Sequence, residues 1–527
     1  MNSLKNTGLR LTAFIKRHPK TDIAIIAAGV LIYAVVSLWT ITEASIWFDE
    51  AFSTYIAQFS YADIARFTAA DVHPPLYYWA LKTWEVFFGT SELAVRSMSV
   101  LFGGIAIIFA YLTTRKLFGR KTALIALSLL VISPMLIRYG QEARMYTMAA
   151  AIVMAATYAL LVARDSTRKL PWIVYGVLIA AGMWTNYFTA LAWLAHWAWH
   201  AVVVRQNSGK KLFWKNFFSK RWIAAYALAV TLFLPWLPFM FLQLGGIQGT
   251  GFWIGSVGVD TPANYLSNIF FYLEHGMVNG WLAVLFFILV AILSVLGVRS
   301  YKILSKHDRL KYLLILLLAF APVVILFVVS LPPLKSSFVE RYLVPSVVAF
   351  SVFAAIAIAV GLRRTKGYLT PLIVVVLLVG SMIYGVYNVV YFGNYNKNSN
   401  THIMTKELVE GITRKAKPGE PIVANSPWIF YEAVFYSTDR NPVYFIDKNT
   451  DYKFGSLDML RDTDLHKIKD FSAFAAQHPT IWYIGNTNDE DVAPYQQSWK
   501  KIDTVWAYDS INDKKIYRGT QYQVSAE

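Results

Sequence analysis

Cysteine is absent from the 527 residues, which excludes thiol catalysis, thiolate metal sites and disulfides. Charge is scarce as well: Asp, Glu, Lys and Arg make up 15% of the chain, against about 25% in soluble domains. No internal repeat and no low-complexity tract is found. Long apolar runs are what the chain has instead, with 56% hydrophobic and 16% aromatic residues and a mean hydropathy of +0.43. That composition excludes both a single soluble globule and a disordered chain. It is the composition of a polytopic membrane protein.

A run must hold about 20 apolar residues to cross the hydrocarbon core. Eleven spans are predicted near 22–40, 93–114, 122–137, 144–163, 171–185, 187–204, 222–241, 278–298, 312–331, 342–361 and 368–390, with 13 as an upper count. The first is too long and too far from the N-terminus for a cleaved signal peptide. Residues 73–89 are apolar too, but Pro74 and Pro75 suit a helix start and Gly89 ends it. Its tyrosines and tryptophans predict a helix lying at the interface rather than a span.

Charge supports that count. With a cytoplasmic N-terminus, the inside segments 1–21, 115–121, 164–170, 205–221, 299–311 and 362–367 hold 26 Lys/Arg, while the outside loops hold 7 Lys/Arg and 11 Asp/Glu. This is the positive-inside bias. The net charge of +17 is therefore read as topology and not as nucleic-acid binding. Residues 391–527 carry 16 basic and 18 acidic residues and no spanning run. Short strands at Pro421–Ala424, Val443–Ile446 and Thr480–Ile484 and an amphipathic helix over 464–477 predict a small α/β domain. The odd span count places it outside.

The spans themselves carry almost no charge, because Asp22, Arg96, Arg144 and Arg341 sit at ends. Ion pathways and proton relays need charges deep in the bundle. His196 and His200 share a helix face as metal ligands would, or pack as a pair near the cytoplasmic end. Polar chemistry concentrates outside. The first outside loop, 41–92, holds seven acids, and IWFDEAFSTYIA sets Asp49 and Glu50 beside headgroup-level aromatics. Desolvation and a neighbouring like charge raise a carboxylate pKa and suit a general base. Capping of the following helix is the plainer role for the same pair. RYGQEARMY adds Arg138, Glu142, Arg144 and Tyr146, and LPPLKSSFVERYLVP adds Lys335, Glu340, Arg341 and Tyr342. His73 precedes the Pro-Pro pair. Arginines near headgroups bind phosphate well, while Glu–Arg capping pairs explain any one of them.

FDEAFST, HPPLYYW, GQEARMYTM and ERYLVP resemble the signatures of bacterial GT-C glycosyltransferases, within them the protein O-mannosyltransferase and aminoarabinose-transferase group. The resemblance covers roughly residues 20–390, with the motifs in the family's order. It implies transfer of a sugar from a polyprenyl-phosphate carrier to a hydroxyl acceptor in the cell envelope (protein, lipid or cell-wall glycan), on the outer face of the cell membrane and with inversion. It implies Asp49 as the base that deprotonates the acceptor and Glu50 as its acidic neighbour. Glu142 with Arg144 matches the second polar cluster, His73 the HPP-type helix, and Arg341 with Tyr342 a carrier-phosphate contact. Arg138 and Lys335 join them as phosphate candidates. The lipid phosphate is a good leaving group, so no metal is required, although these acids could hold a divalent cation.

Two other classes compete. A lipid-linked-glycan transporter or scaffold would share the outer cations but needs repeat symmetry and polar residues inside the bundle. An acyl or phosphoryl transferase could use His73. The lysine- and arginine-free loop 242–277, with Phe252 and Trp253, is either a lid over the carrier or an ordinary interfacial loop. The tail is expected to position the acceptor.

Overall fold

The computed structural model describes residues 20–250, 254–273, 279–363, 369–398, 405–438, 440–447, 457, 459–460, 466–486, 499–509 and 514–524. Each predicted apolar run has a helical counterpart there. Eight are long and apolar enough to cross a bilayer, and a bent pair makes a ninth. Leu170–Thr185 is shorter, with 16 residues, and Ala190–Ser208 is diluted by its histidines. The chain is a multi-pass membrane protein. Tyr146–Arg164 and Val344–Gly361 lie at the centre and are buried almost throughout, whereas Gly280–Ile303 and Leu369–Asn398 present apolar side chains outward. Phe252 and Trp253 lie outside the described residues.

The run expected as one span over 122–137 is two helices, Arg120–Val131 and Pro134–Gly140, bent by 55°. Proline has no N–H to donate and disfavours the helical conformation of its predecessor. Ser133 is accordingly extended, with φ −72° and ψ 112°. The bend carries Arg138 and Glu142 sideways across the mouth of the bundle.

Within the acidic loop 41–92, the acidic helix Phe48–Ala57 is followed by Tyr61–Ala70, which Ser60 caps by accepting the Asp63 amide at 3.1 Å. The helix expected at the interface is Leu76–Phe88 and ends at Gly89, whose φ is +82°. It leaves Val86, Phe87 and Phe88 exposed.

Beyond the last long helix a six-stranded sheet forms in the order β3-β2-β1-β4-β6-β5, with β1 Ile422–Ala424, β2 Val443–Ile446, β3 Lys467–Ile468, β4 Thr480–Asn486, β5 Lys500–Asp509 and β6 Lys514–Gln523. Strands β1 to β4 run parallel, and β5 and β6 add an antiparallel edge. The helix expected over 464–477 is in its described part a strand and a short helix: Lys467 and Ile468 pair with β2, and only Phe471–Gln477 is helical, capped by Asp470. Edge pairing to β2 outweighs a local helical pattern too short to stand alone. The helix Pro427–Tyr436 turns from this sheet onto the acidic helix, where the Tyr431 ring meets Phe48, Phe52 and Tyr55 at 5.1 to 6.1 Å.

Candidate active site

The acidic helix separates its two carboxylates. Glu50 points into the protein, 1% exposed, while Asp49 keeps 22% exposure. Glu50 is held by Arg96, from Nε at 2.8 Å and Nη2 at 2.7 Å, and by the Ala143 amide at 2.7 Å. Arg96 spends its remaining donors on the carbonyls of Ile41, Ala44 and Ser45. The pair thus ties the loop before Asp49 to the long helix Glu92–Phe118. With its oxygens so committed, Glu50 supports the site from beneath and does not face it. The Arg96 clasp goes unseen in the sequence, where this arginine reads only as a charge at a span end; its spacing from Asp49 and Glu50 carries no local signal.

Asp49 stands between two guanidiniums, with Arg341 Nη2 at 3.6 Å and Arg144 Nη2 at 3.8 Å. These are loose pairs, longer than charge-assisted hydrogen bonds of about 2.7–2.9 Å. Arg144 is fixed more tightly by Ser53 Oγ at 3.0 Å, the Asp49 carbonyl at 3.2 Å and Tyr78 Oη at 3.3 Å. Arg341 enters on the 3-10 turn Glu340–Leu343 and lies over the rings of Trp47 and Tyr146, at 5.4 and 5.9 Å. Cation–π contact with both rings helps to hold it beside Asp49.

An aromatic wall closes one side. Tyr342 stacks on Phe188 at 4.3 Å and 12°, meets Tyr146 at 6.1 Å and approaches His73 at 6.4 Å. His73 sits 3.5 Å from Asp71, and burial, against that carboxylate, holds its pKa below the ordinary value of 6.5. Tyr78, Ser53, Phe188 and Asp71 belong to the cluster although sequence reading did not mark them; only the HPPLYYW context pointed at Tyr78.

The remaining candidates are dispersed. Arg138 and Glu142 form a buried pair at 2.8 Å, with Glu142 within electrostatic range of Arg341 and Tyr146. Lys335 is exposed on the loop before the 3-10 turn. His196 bonds Thr157 and Tyr175, and His200 bonds Arg164 and the Phe217 carbonyl, so each ring has its own partners. Among the described residues no group of three His, Asp or Glu is arranged to hold a metal ion.

Residues 72–239 match the family described as dolichyl-phosphate-mannose-protein mannosyltransferase. No curated protein matches the chain. Among solved structures, ArnT from Cupriavidus metallidurans is similar in its apo state with a TM-score of 0.61 at 13% identity, over 96% of this chain and 99% of that one. The same protein bound to undecaprenyl phosphate aligns with a TM-score of 0.61 at 14% identity, over 97% and 99%. The apo oligosaccharyltransferase of Archaeoglobus fulgidus reaches 0.50 at 14% identity, over 80% of this chain and 64% of that one. At these identities the likeness is one of fold.

Proposed function

We propose that this chain, which has the GT-C glycosyltransferase fold of the O-mannosyltransferase and ArnT group, moves a sugar from a polyprenyl phosphate to a hydroxyl acceptor at the outer face of the cell membrane. The observation that carries the reading is the half-open carboxylate of Asp49 between Arg144 and Arg341. Glycosyl transfer from a lipid phosphate needs these parts together. Asp49 takes the acceptor's proton as the hydroxyl oxygen bonds to the anomeric carbon. The bond from that carbon to the phosphate oxygen breaks, and the electron pair leaves with the lipid phosphate. Charge develops on that phosphate, where guanidiniums stabilise it. The loose geometry around Asp49 suits the exchange, since a phosphate can engage Arg144 and Arg341 without first breaking a short ion pair. A carboxylate also favours the positive charge that grows on the sugar.

In this reading Arg144 and Arg341 contact the carrier phosphate, Tyr146, Tyr342 and His73 stand on the sugar's side of Asp49, and Glu50 and Glu142 hold arginines in place. Arg138 acts through Glu142, and the exposed Lys335 meets lipid headgroups. The reading requires no metal, because the lipid phosphate is itself a good leaving group. The ArnT likeness includes a form bound to undecaprenyl phosphate, which supports a carrier of that class.

The test is turnover of a panel of polyprenyl-phosphate sugars by purified wild type and Asp49→Asn, with crude envelope as acceptor. One donor should be consumed, and the variant should lose a factor of about 10²–10⁴ in rate while still binding it, as expected for a general base. EDTA should leave turnover unchanged. Equal turnover by Asp49→Asn would remove Asp49 as the base. Carrier binding without turnover of any donor would favour a transporter.

A further inference from the structure

The C-terminal domain seats itself on the back of the acidic helix through contacts that take no part in the chemistry above. Tyr436 Oη accepts the Ile46 amide at 2.5 Å and donates to Glu92 Oε1 at 2.5 Å. Lys406 Nζ reaches Glu92 Oε2 at 2.7 Å and the Thr42 carbonyl at 3.2 Å. The stretch leading to Asp49 is thereby pinned from the tail on one side and by Arg96 on the other.

Glu432 lies within this seat and is completely buried. Its Oε2 accepts the Thr405 hydroxyl at 2.5 Å. Its Oε1 is buried and meets no donor at hydrogen-bond distance, while the Phe48 amide lies toward the same carboxyl. Phe48 opens the acidic helix and is the immediate neighbour of Asp49. The first amides of a helix have no partner inside it, and Trp47 at the N-cap supplies no side-chain cap. Burying a carboxyl is costly without compensation. Here burial, with Glu50 alongside, pushes the carboxyl well above the usual carboxylate range. Burial therefore favours the neutral acid, a form able to donate one bond and accept others.

We infer that Glu432 is a positioning residue, the tail's own cap on the helix that carries Asp49, and that it fixes where the base stands between Arg144 and Arg341. The inference rests on the transferase reading. It gives the tail a role in turnover that is separate from acceptor capture.

The test compares full-length wild type, Glu432→Ala and Glu432→Gln, measuring kcat and donor KM with the donor found in the panel, together with hydrogen exchange at amides 48–53. Glu432→Ala should lower kcat about tenfold with KM nearly unchanged, because a base displaced by a fraction of an ångström loses rate and not binding. Glu432→Gln, neutral and of the same shape, should restore most of kcat and the slow exchange. Wild-type kcat in Glu432→Ala, a change in KM alone, or a Gln variant as poor as Ala would each overturn the inference. Should Glu432→Ala not fold, Thr405→Val serves: a severalfold lower kcat is expected, and an unchanged one overturns it. If wild type consumes no donor, the transferase reading fails on its own. Exchange at 48–53 then still reports the cap, and unchanged exchange in Glu432→Ala would refute it separately.

Discussion

At the scale of single residues, Arg96 and Glu50 are the strongest structural commitment in the site. Both side chains are essentially unexposed and satisfy each other with two short bonds. Removing one partner of such a buried pair costs about 3–5 kcal/mol, because the other charge is left uncompensated. Arg96→Met should therefore lower the unfolding midpoint of the purified protein and abolish turnover; an unchanged midpoint would show that the pair is dispensable. His73 gives a pH signature. Its pKa lies below 6.5 in the folded protein, so below that pH the unfolded chain takes up a proton that the folded chain refuses. Stability should then fall as pH drops below 6.5, by the linkage between proton binding and folding. Melting at several pH values should show a shallower slope for His73→Asn than for wild type. The adjacency of Asp49 and Glu50 was legible in the sequence, but their division of labour was not. Side chains that follow each other on a helix point about 100° apart, and what each meets depends on elements far along the chain.

At the scale of elements, proline and glycine punctuate this fold more sharply than hydropathy does. The helix expected at the interface starts after Pro75 and stops at Gly89, both visible in the sequence. The bend at Ser133–Pro134 has its cause in the sequence too, yet apolarity alone reads as an unbroken span. Gly119 joins Glu92–Phe118 to Arg120–Val131 as a one-residue turn, with φ +83° and ψ 177°. That conformation is essentially restricted to glycine and costs other residues about 1–3 kcal/mol. Open space surrounds the position where a side chain would go. Gly119→Ala should thus lower the melting midpoint through backbone strain alone, and an unaltered midpoint would mean that the turn relaxes. In the tail, the pattern over 464–477 reads as helical because a stretch of about two turns can satisfy a helical period by chance before Phe471, where the true helix begins. Pairing to β2 decided the outcome.

At the scale of the whole molecule, the absence of cysteine makes the proposed orientation directly testable. Lys335→Cys and Lys215→Cys each place one thiol at an exposed site. In intact cells a membrane-impermeant maleimide should label the first and spare the second. The reverse pattern would invert the topology and move the site to the cytoplasmic side. The sequence by itself determined the membrane class, most of the apolar helices, the acidic loop 41–92 and the GT-C resemblance that the fold bears out, because hydropathy and short motifs are local properties. Only the tertiary structure decided that Asp49 faces two arginines from distant segments, that Glu50 turns away to Arg96, and that the tail rests on the helix between them. Those contacts join residues 46 to 390 positions apart. Their energies depend on burial and approach distance, which exist only once the chain has packed.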